Sequence, residues 1–248
     1  MDRGFILHSY PYRETSLILQ AWTEKHGRLA LVAKGARRPK SASRIVLVPF
    51  QPLTLDWFGR GELRTLKTAE PTVPATPLAG EALMSAFYMN ELLLKLTTRD
   101  DPHERLFGAY DAAISEMRAF SRASSAPRVC ELEPVLRRFE LKLLQELGYA
   151  LELAREAGSH VPIAAEREYF YVVERGAVAA GAGGETPSNA VRLRGLTLID
   201  LERGRFEDPT TVAQSKQLMR LLIHHSLNGQ ELATRMLARD LQRTKEGE

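Results

Sequence analysis

Ser16-Leu17-Ile18-Leu19-Gln20-Ala21-Trp22-Thr23, Glu24-Lys25-His26-Gly27 and Arg28-Leu29-Ala30-Leu31-Val32-Ala33 read in succession as a strand, a turn and a return strand. The turn closes on a glycine, which supplies the positive φ that a tight reversal needs. Similar runs lie on both sides. Phe5-Ile6-Leu7-His8 precedes the hairpin; Ile45-Val46-Leu47-Val48, Leu53-Thr54-Leu55-Asp56-Trp57-Phe58 and Leu63-Arg64-Thr65-Leu66-Lys67-Thr68 follow it, the last two joined by Gly59-Arg60-Gly61. Five to six short strands about ten residues apart predict a small barrel of the OB type, a fold that commonly binds oligonucleotides across one face.

Pro71-Thr72-Val73-Pro74-Ala75-Thr76-Pro77 ends this region, because three prolines in seven residues neither continue a ladder nor a helix. Residues 78–248 are expected to be helical. Leu78 to Thr97 reads as a buried helix. Asp101-Pro102, as N-cap and first helical residue, opens another that runs to about Phe120. A third spans about Cys130 to Leu147, striped with Leu132, Leu136, Phe139, Leu143 and Leu147 and ended by Gly148. Residues 149–195 are irregular except for a hairpin, Glu168 to Val173 with Gly176 to Ala180, and a flexible tip at 181–187. Helices at about Thr210–Ser226 and Gly229–Leu241 close an α+β chain.

Between strands lies Lys34-Gly35-Ala36-Arg37-Arg38-Pro39-Lys40-Ser41-Ala42-Ser43-Arg44, with five cations and no acid. Residues 1–77 carry 12 basic and 6 acidic side chains, while the remaining residues carry 22 and 25. The excess of positive charge is thus confined to the N-terminal end, as in a nucleic-acid-binding module joined to a body of another character. A Lys/Arg cluster takes affinity from counterion release at phosphates, without sequence preference. The alternative is a solvated loop. Tyr10, Tyr12, Trp22, Trp57 and Phe58 are candidates to stack on bases or to fill the barrel, and Arg13 is a further phosphate candidate.

Enzyme signatures are missing: the sequence holds no GxxxxGK[ST], GxGxxG or GxSxG motif. His224-His225 point about 100° apart on a helix and do not form an i, i+4 metal pair; one is expected to pack and the other to face solvent. A hydrolase using either histidine is the remaining enzymatic reading. Asp100-Asp101 and Glu207-Asp208 lie beside prolines and read as caps and turns. The single Cys130 allows neither an intrachain disulfide nor a thiolate zinc cage. No run reaches the ~20 apolar residues that span a bilayer, and the Met-Asp-Arg-Gly start lacks a signal peptide's apolar region, so a cytoplasmic protein is expected.

Arg137-Arg138-Phe139 sets two guanidiniums beside the apolar stripe of the third helix. This pattern suits a groove for a short acidic peptide ending in a hydrophobic residue, or equally a solvated helix face over core.

Several of these segments together resemble the RecO family of bacterial recombination mediators. They are Phe5-Ile6-Leu7-His8-Ser9, Glu14-Thr15-Ser16-Leu17, Val32-Ala33-Lys34-Gly35-Ala36-Arg37-Arg38, Pro49-Phe50, Gly59-Arg60-Gly61-Glu62, Asn90-Glu91-Leu92, Leu136-Arg137-Arg138-Phe139-Glu140 and Leu147-Gly148-Tyr149. The likeness covers residues 4–149, thins over 150–210 and returns at Asn228-Gly229, Leu232, Arg235 and Arg239. It implies an OB domain at 1–77 and a helical domain at 78–248. It also implies binding of single- and double-stranded DNA, strand annealing, and loading of RecA with RecR onto strands coated by single-stranded DNA-binding protein (SSB). No cofactor or metal is implied, and the chain would be a nucleoid-associated monomer. The DNA-binding residues would be Arg13, Lys34, Arg37, Arg38, Lys40 and Arg44, with Arg235 and Arg239 near the C-terminus. The SSB tail would dock on Arg137, Arg138, Phe139, Leu143 and Leu147, as in enterobacterial members. Two departures stand out. Glu156 and Ser159 replace the cysteines of zinc-binding members, and Gln230 and Ala233 stand where related chains often carry lysines. An RNA- or ribosome-associated OB protein is the alternative function.

Overall fold

A computed structural model describes residues 1–122, 132–149, 151–181 and 187–246. Cys130 and most of the 181–187 tip lie outside the described residues. The described chain divides into two compact units, Met1–Pro127 with Leu232–Glu248, and Arg128–Glu231.

The first unit contains a closed five-stranded barrel ordered β1-β2-β3-β5-β4. Its strands are β1 (Asp2–Tyr12), β2 (Ser16–Thr23), β3 (Gly27–Ala33), β4 (Leu53–Phe58) and β5 (Leu63–Pro71). All pairings are antiparallel except β3 with β5, and β4 returns to β1 through Asp2↔Leu55, Arg3↔Thr54 and Gly4↔Leu53. Alternation turns Ile6, Leu19, Ala21, Leu29, Leu31, Leu53 and Leu55 inward to make the core.

The expected strand at 45–48 is not one. Because β5 occupies the edge of β3, the chain leaving β3 finds no partner and crosses the barrel end. It makes the short helix α1 (Ser43–Val46) there, with Leu47 buried in the barrel core and Ile45 77 % exposed.

Gly27 ends the first hairpin's turn at φ +66, as its position predicts, and a second constraint acts there. A Cβ at Gly27 would lie 2.0 Å from the carbonyl oxygen of Asp101. That packing also explains why Asp101 is not the expected N-cap. Its backbone lies against the β2–β3 turn, and α3 (Glu104–Arg122) begins later, with Phe107 N–H donating to the His103 carbonyl. Asp101 instead accepts from Thr98 Oγ1 at 3.1 Å.

α2 (Gly80–Leu96) and α3 belong to the same unit as the barrel. Buried Asn90 explains much of their attachment: its Nδ2 donates to the Leu7 carbonyl at 2.8 Å, and its Oδ1 accepts from Tyr110 Oη at 2.6 Å. Phe5 packs edge-on to Tyr110 at 5.0 Å between ring centres. The compact unit thus takes in α2 and α3 as well as the barrel.

The second unit combines α4 (Glu133–Glu146), a sheet ordered β7-β6-β8, and the helices α5 (Gly195–Glu202) and α6 (Pro209–Ser226). The expected hairpin is β6 (Glu168–Val172) with β7 (Gly176–Ala179); β8 (Ala190–Arg194) and α5 were not legible beforehand. Gly148, at φ +83, ends α4 as expected, its N–H reaching the Gln145 carbonyl at 3.1 Å. Asp208 caps α6 by accepting from Thr210 N–H, and this bond, with Arg194 beside it, holds the carboxyl below the usual carboxylate range. α7 (Ala233–Glu246) belongs to the first unit. Among the described residues no helix is long and apolar enough to cross a membrane.

Candidate nucleic-acid interface

The basic run is anchored, not free. Ala36 is buried in the barrel core, and Arg37 N–H donates to the Thr15 carbonyl at 2.8 Å. Arg37 Nη1 lies 3.3 Å from each of the Arg13 and Glu14 carbonyls. These bonds tie the β3–α1 loop to the β1–β2 turn, where Arg13 adopts φ 51. Around the tie, Lys34, Arg38, Lys40 and Arg44 are exposed, as are Arg13 and Arg37 themselves.

Arg13, Lys34 and Arg38 come together around a cleft of about 480 Å³, floored by Ser16, Val32 and Thr65. Arg13 also lies over the Tyr12 ring at 5.2 Å. None of the six cations has an ion-pair partner among the described residues. Their field is therefore uncompensated, the condition under which a polyanion gains most from counterion release. Arg28 is a different kind of cation. It donates to the Thr97 carbonyl at 2.8 Å, and burial, with Arg99 nearby, lowers its pKa.

The aromatics separate clearly. Trp22 is fully buried, Trp57 packs against the barrel core, and Tyr12 is half-buried. Tyr10 and Phe58 are exposed.

Arg235 and Arg239 lie on α7, away from the cleft in sequence but in the same unit. Arg235 is half-buried, its guanidinium 5.6 Å above the Tyr88 ring, and Arg239 is exposed. Glu91 on α2 fixes the start of α7 by accepting from Ala233 N–H, Thr234 N–H and Thr234 Oγ1 at 2.8, 2.9 and 2.7 Å. Sequence reading quoted Glu91 without giving it this role, since a carboxylate within one helix carries no mark of the distant helix it caps.

On α4, Arg137 is 4 % exposed, with Nη2 3.0 Å from Glu140 Oε1 and Nε 3.0 Å from Oε2. Glu133, 3.8 Å away, also bonds Lys216 at 2.5 Å. Phe139 and Leu143 are buried, Leu147 is half-buried and Arg138 is exposed. Four of the five residues thus lie on α4 and Leu147 is its C-cap, and of the five only Arg138 is exposed.

His224 and His225 are both exposed, which corrects the expectation that one packs; His225 Nε2 lies 3.2 Å from Glu174 Oε1. No group of three or more His, Cys, Asp or Glu among the described residues is placed to hold a metal ion.

Fold and site define an OB-like barrel with a cationic rim, joined to a largely helical region with a small sheet. Residues 1–75 match the family model for the recombination protein O N terminal, and residues 78–236 match that for its C terminal. Relatives named DNA repair protein RecO include those of Azoarcus sp. (strain BH72) and Nitrosospira multiformis. Both are 48 % identical, over 96 % of this chain and 94 % of their own length. That of Thiobacillus denitrificans is 44 % identical over 97 % of this chain and 91 % of its own length. The chain belongs to the RecO family, which is one of non-enzymatic recombination proteins.

Proposed function

We propose that the chain is a DNA-repair recombination mediator that binds single- and double-stranded DNA through Arg13, Lys34, Arg37, Arg38, Lys40 and Arg44. The observation that carries this reading is the tied, unpaired cation cluster around the cleft. Each phosphate held there releases a counterion, so binding is tight at low salt and indifferent to sequence.

Annealing follows from the same surface and needs no bond chemistry. Two complementary strands repel through their backbones. A cationic rim that screens this repulsion while holding only phosphates leaves base edges free to pair. Arg235 and Arg239 would add contacts from α7. By family, the protein would act with RecR to bring RecA onto strands coated by SSB, in the cytoplasm at the nucleoid. For the acidic SSB tail the exposed cation of the set on α4 is Arg138, while Arg137, Phe139 and Leu143 are buried.

Annealing of SSB-coated complementary strands tests this reading, run with intact SSB and with SSB lacking its acidic tail. Annealing that slows without the tail is expected. No annealing at all removes the function, and equal rates remove the tail site. A stronger preference for structured RNA than for single-stranded DNA at fixed salt would favour an RNA-binding role instead.

A further inference from the structure

The second unit contains a cavity of about 290 Å³, near the lower end of the range for small-molecule sites. Three pieces of chain enclose it: the end of α4 with the residues that follow, the β6–β7 turn, and the last turn of α6. Leu144, Val173 and Leu222 give it apolar walls. Tyr171 also lines it at 3 % exposure, and its hydroxyl has no hydrogen-bond partner among the described residues. A hydroxyl buried in that condition costs free energy until something in the cavity completes it.

Glu152, Glu174, Arg175 and His225 line the same space. Glu174 and His225 satisfy each other at 3.2 Å. Glu152 and Arg175 are exposed, lack ion-pair partners among the described residues, and do not pair with one another. Backbone bonds hold both in place. Glu152 Oε1 accepts from Ala154 N–H at 3.3 Å, and Arg175 N–H donates to the Val172 carbonyl at 3.1 Å in a turn where Glu174 adopts φ 63. Glu152 is also the charge that reaches the Tyr171 hydroxyl, and with burial it keeps that hydroxyl protonated; no cation offsets it there. The cavity thus has a negative end at Glu152 and Tyr171 and a positive one at Arg175.

We infer that this cavity is a binding site for a small zwitterion with an apolar body, an α-amino acid with a large apolar side chain. Glu152 and the Tyr171 hydroxyl accept from its ammonium, Arg175 holds its carboxylate, and Leu144, Val173 and Leu222 pack its side chain. A purely cationic ligand leaves Arg175 unpaired, and a purely anionic one leaves Glu152 unpaired. The site lies wholly in the second unit and takes no residue from the cationic rim, so it stands or falls apart from the DNA reading.

Calorimetric titration of the full chain tests the site with three probes: L-phenylalanine, phenethylamine, which lacks the carboxylate, and 3-phenylpropionate, which lacks the ammonium. L-phenylalanine should bind about 2- to 5-fold more tightly than either, the modest factor that exposed charge pairs supply. Arg175→Ala should remove its advantage over phenethylamine and leave phenethylamine binding unchanged. Glu152→Gln should remove its advantage over 3-phenylpropionate without weakening 3-phenylpropionate. In hydrogen exchange, L-phenylalanine should protect residues 173–176. No saturable binding of L-phenylalanine by the wild-type chain up to its solubility would overturn the site. So would equal affinity for the three probes, or affinities unmoved by both substitutions.

Discussion

Arg37 Nη1 stands 3.3 Å from the carbonyl oxygen of Arg13, so one cation of the basic run holds the turn that carries another. The two loops that meet at the cleft are therefore one device. Arg37 contributes charge and order; Arg38, with no such bond, contributes charge.

That difference is measurable. Arg38→Glu should weaken single-strand binding and reduce the salt slope, while leaving hydrogen exchange at residues 13–16 unchanged. Arg37→Glu should do both and also raise exchange there. Equal exchange in the two variants would show that the tie has no structural effect.

Asn90 and Tyr110 form a buried polar link beneath β1, and burial pushes the Tyr110 hydroxyl well above its ordinary pKa. Tyr110→Phe leaves Asn90 Oδ1 without this donor and should cost about 1–3 kcal/mol in urea unfolding. A cost near zero would mean that water replaces the hydroxyl.

Arg137 carries the opposite expectation from the one its sequence suggests. Removing it takes from Glu140, which is fully buried, the guanidinium that pairs with it, so Arg137→Ala should destabilise the second unit by about 3–5 kcal/mol. Arg138→Ala should leave stability near wild type. A loss of SSB-tail binding is therefore diagnostic in the Arg138 variant. In the Arg137 variant it must be read against the melting curve, and an unchanged melting curve there would contradict the structural role.

Tyr171 gives a pH dependence. Burial, with Glu152 nearby, pushes its hydroxyl up to about 12. The folded state keeps its proton where the unfolded chain, near 10, loses it, so this contribution is present below pH 10 and is lost as pH rises toward 12. Urea midpoints should fall over that window, and Tyr171→Phe should flatten the fall. An identical slope in the variant would contradict the assignment.

Local patterns were legible where they coincide with local causes. The 16–33 hairpin could be read because alternation and a turn glycine specify it within eighteen residues. Residues 45–48 could not, because only the non-local pairing of β3 with β5 removes their partner. The same split applies to the site. A run of cations is visible in sequence, whereas the burial of Arg137 against Glu140 depends on what surrounds α4.

The central claim is that the tied cations grip phosphate, and its most direct measurement is the salt dependence of single-strand binding. If all six cations hold phosphate, log affinity should fall against log salt with a slope of about −4, and Arg37→Glu with Arg38→Glu should flatten it by about 1.4. A slope unchanged by the double substitution would contradict the account.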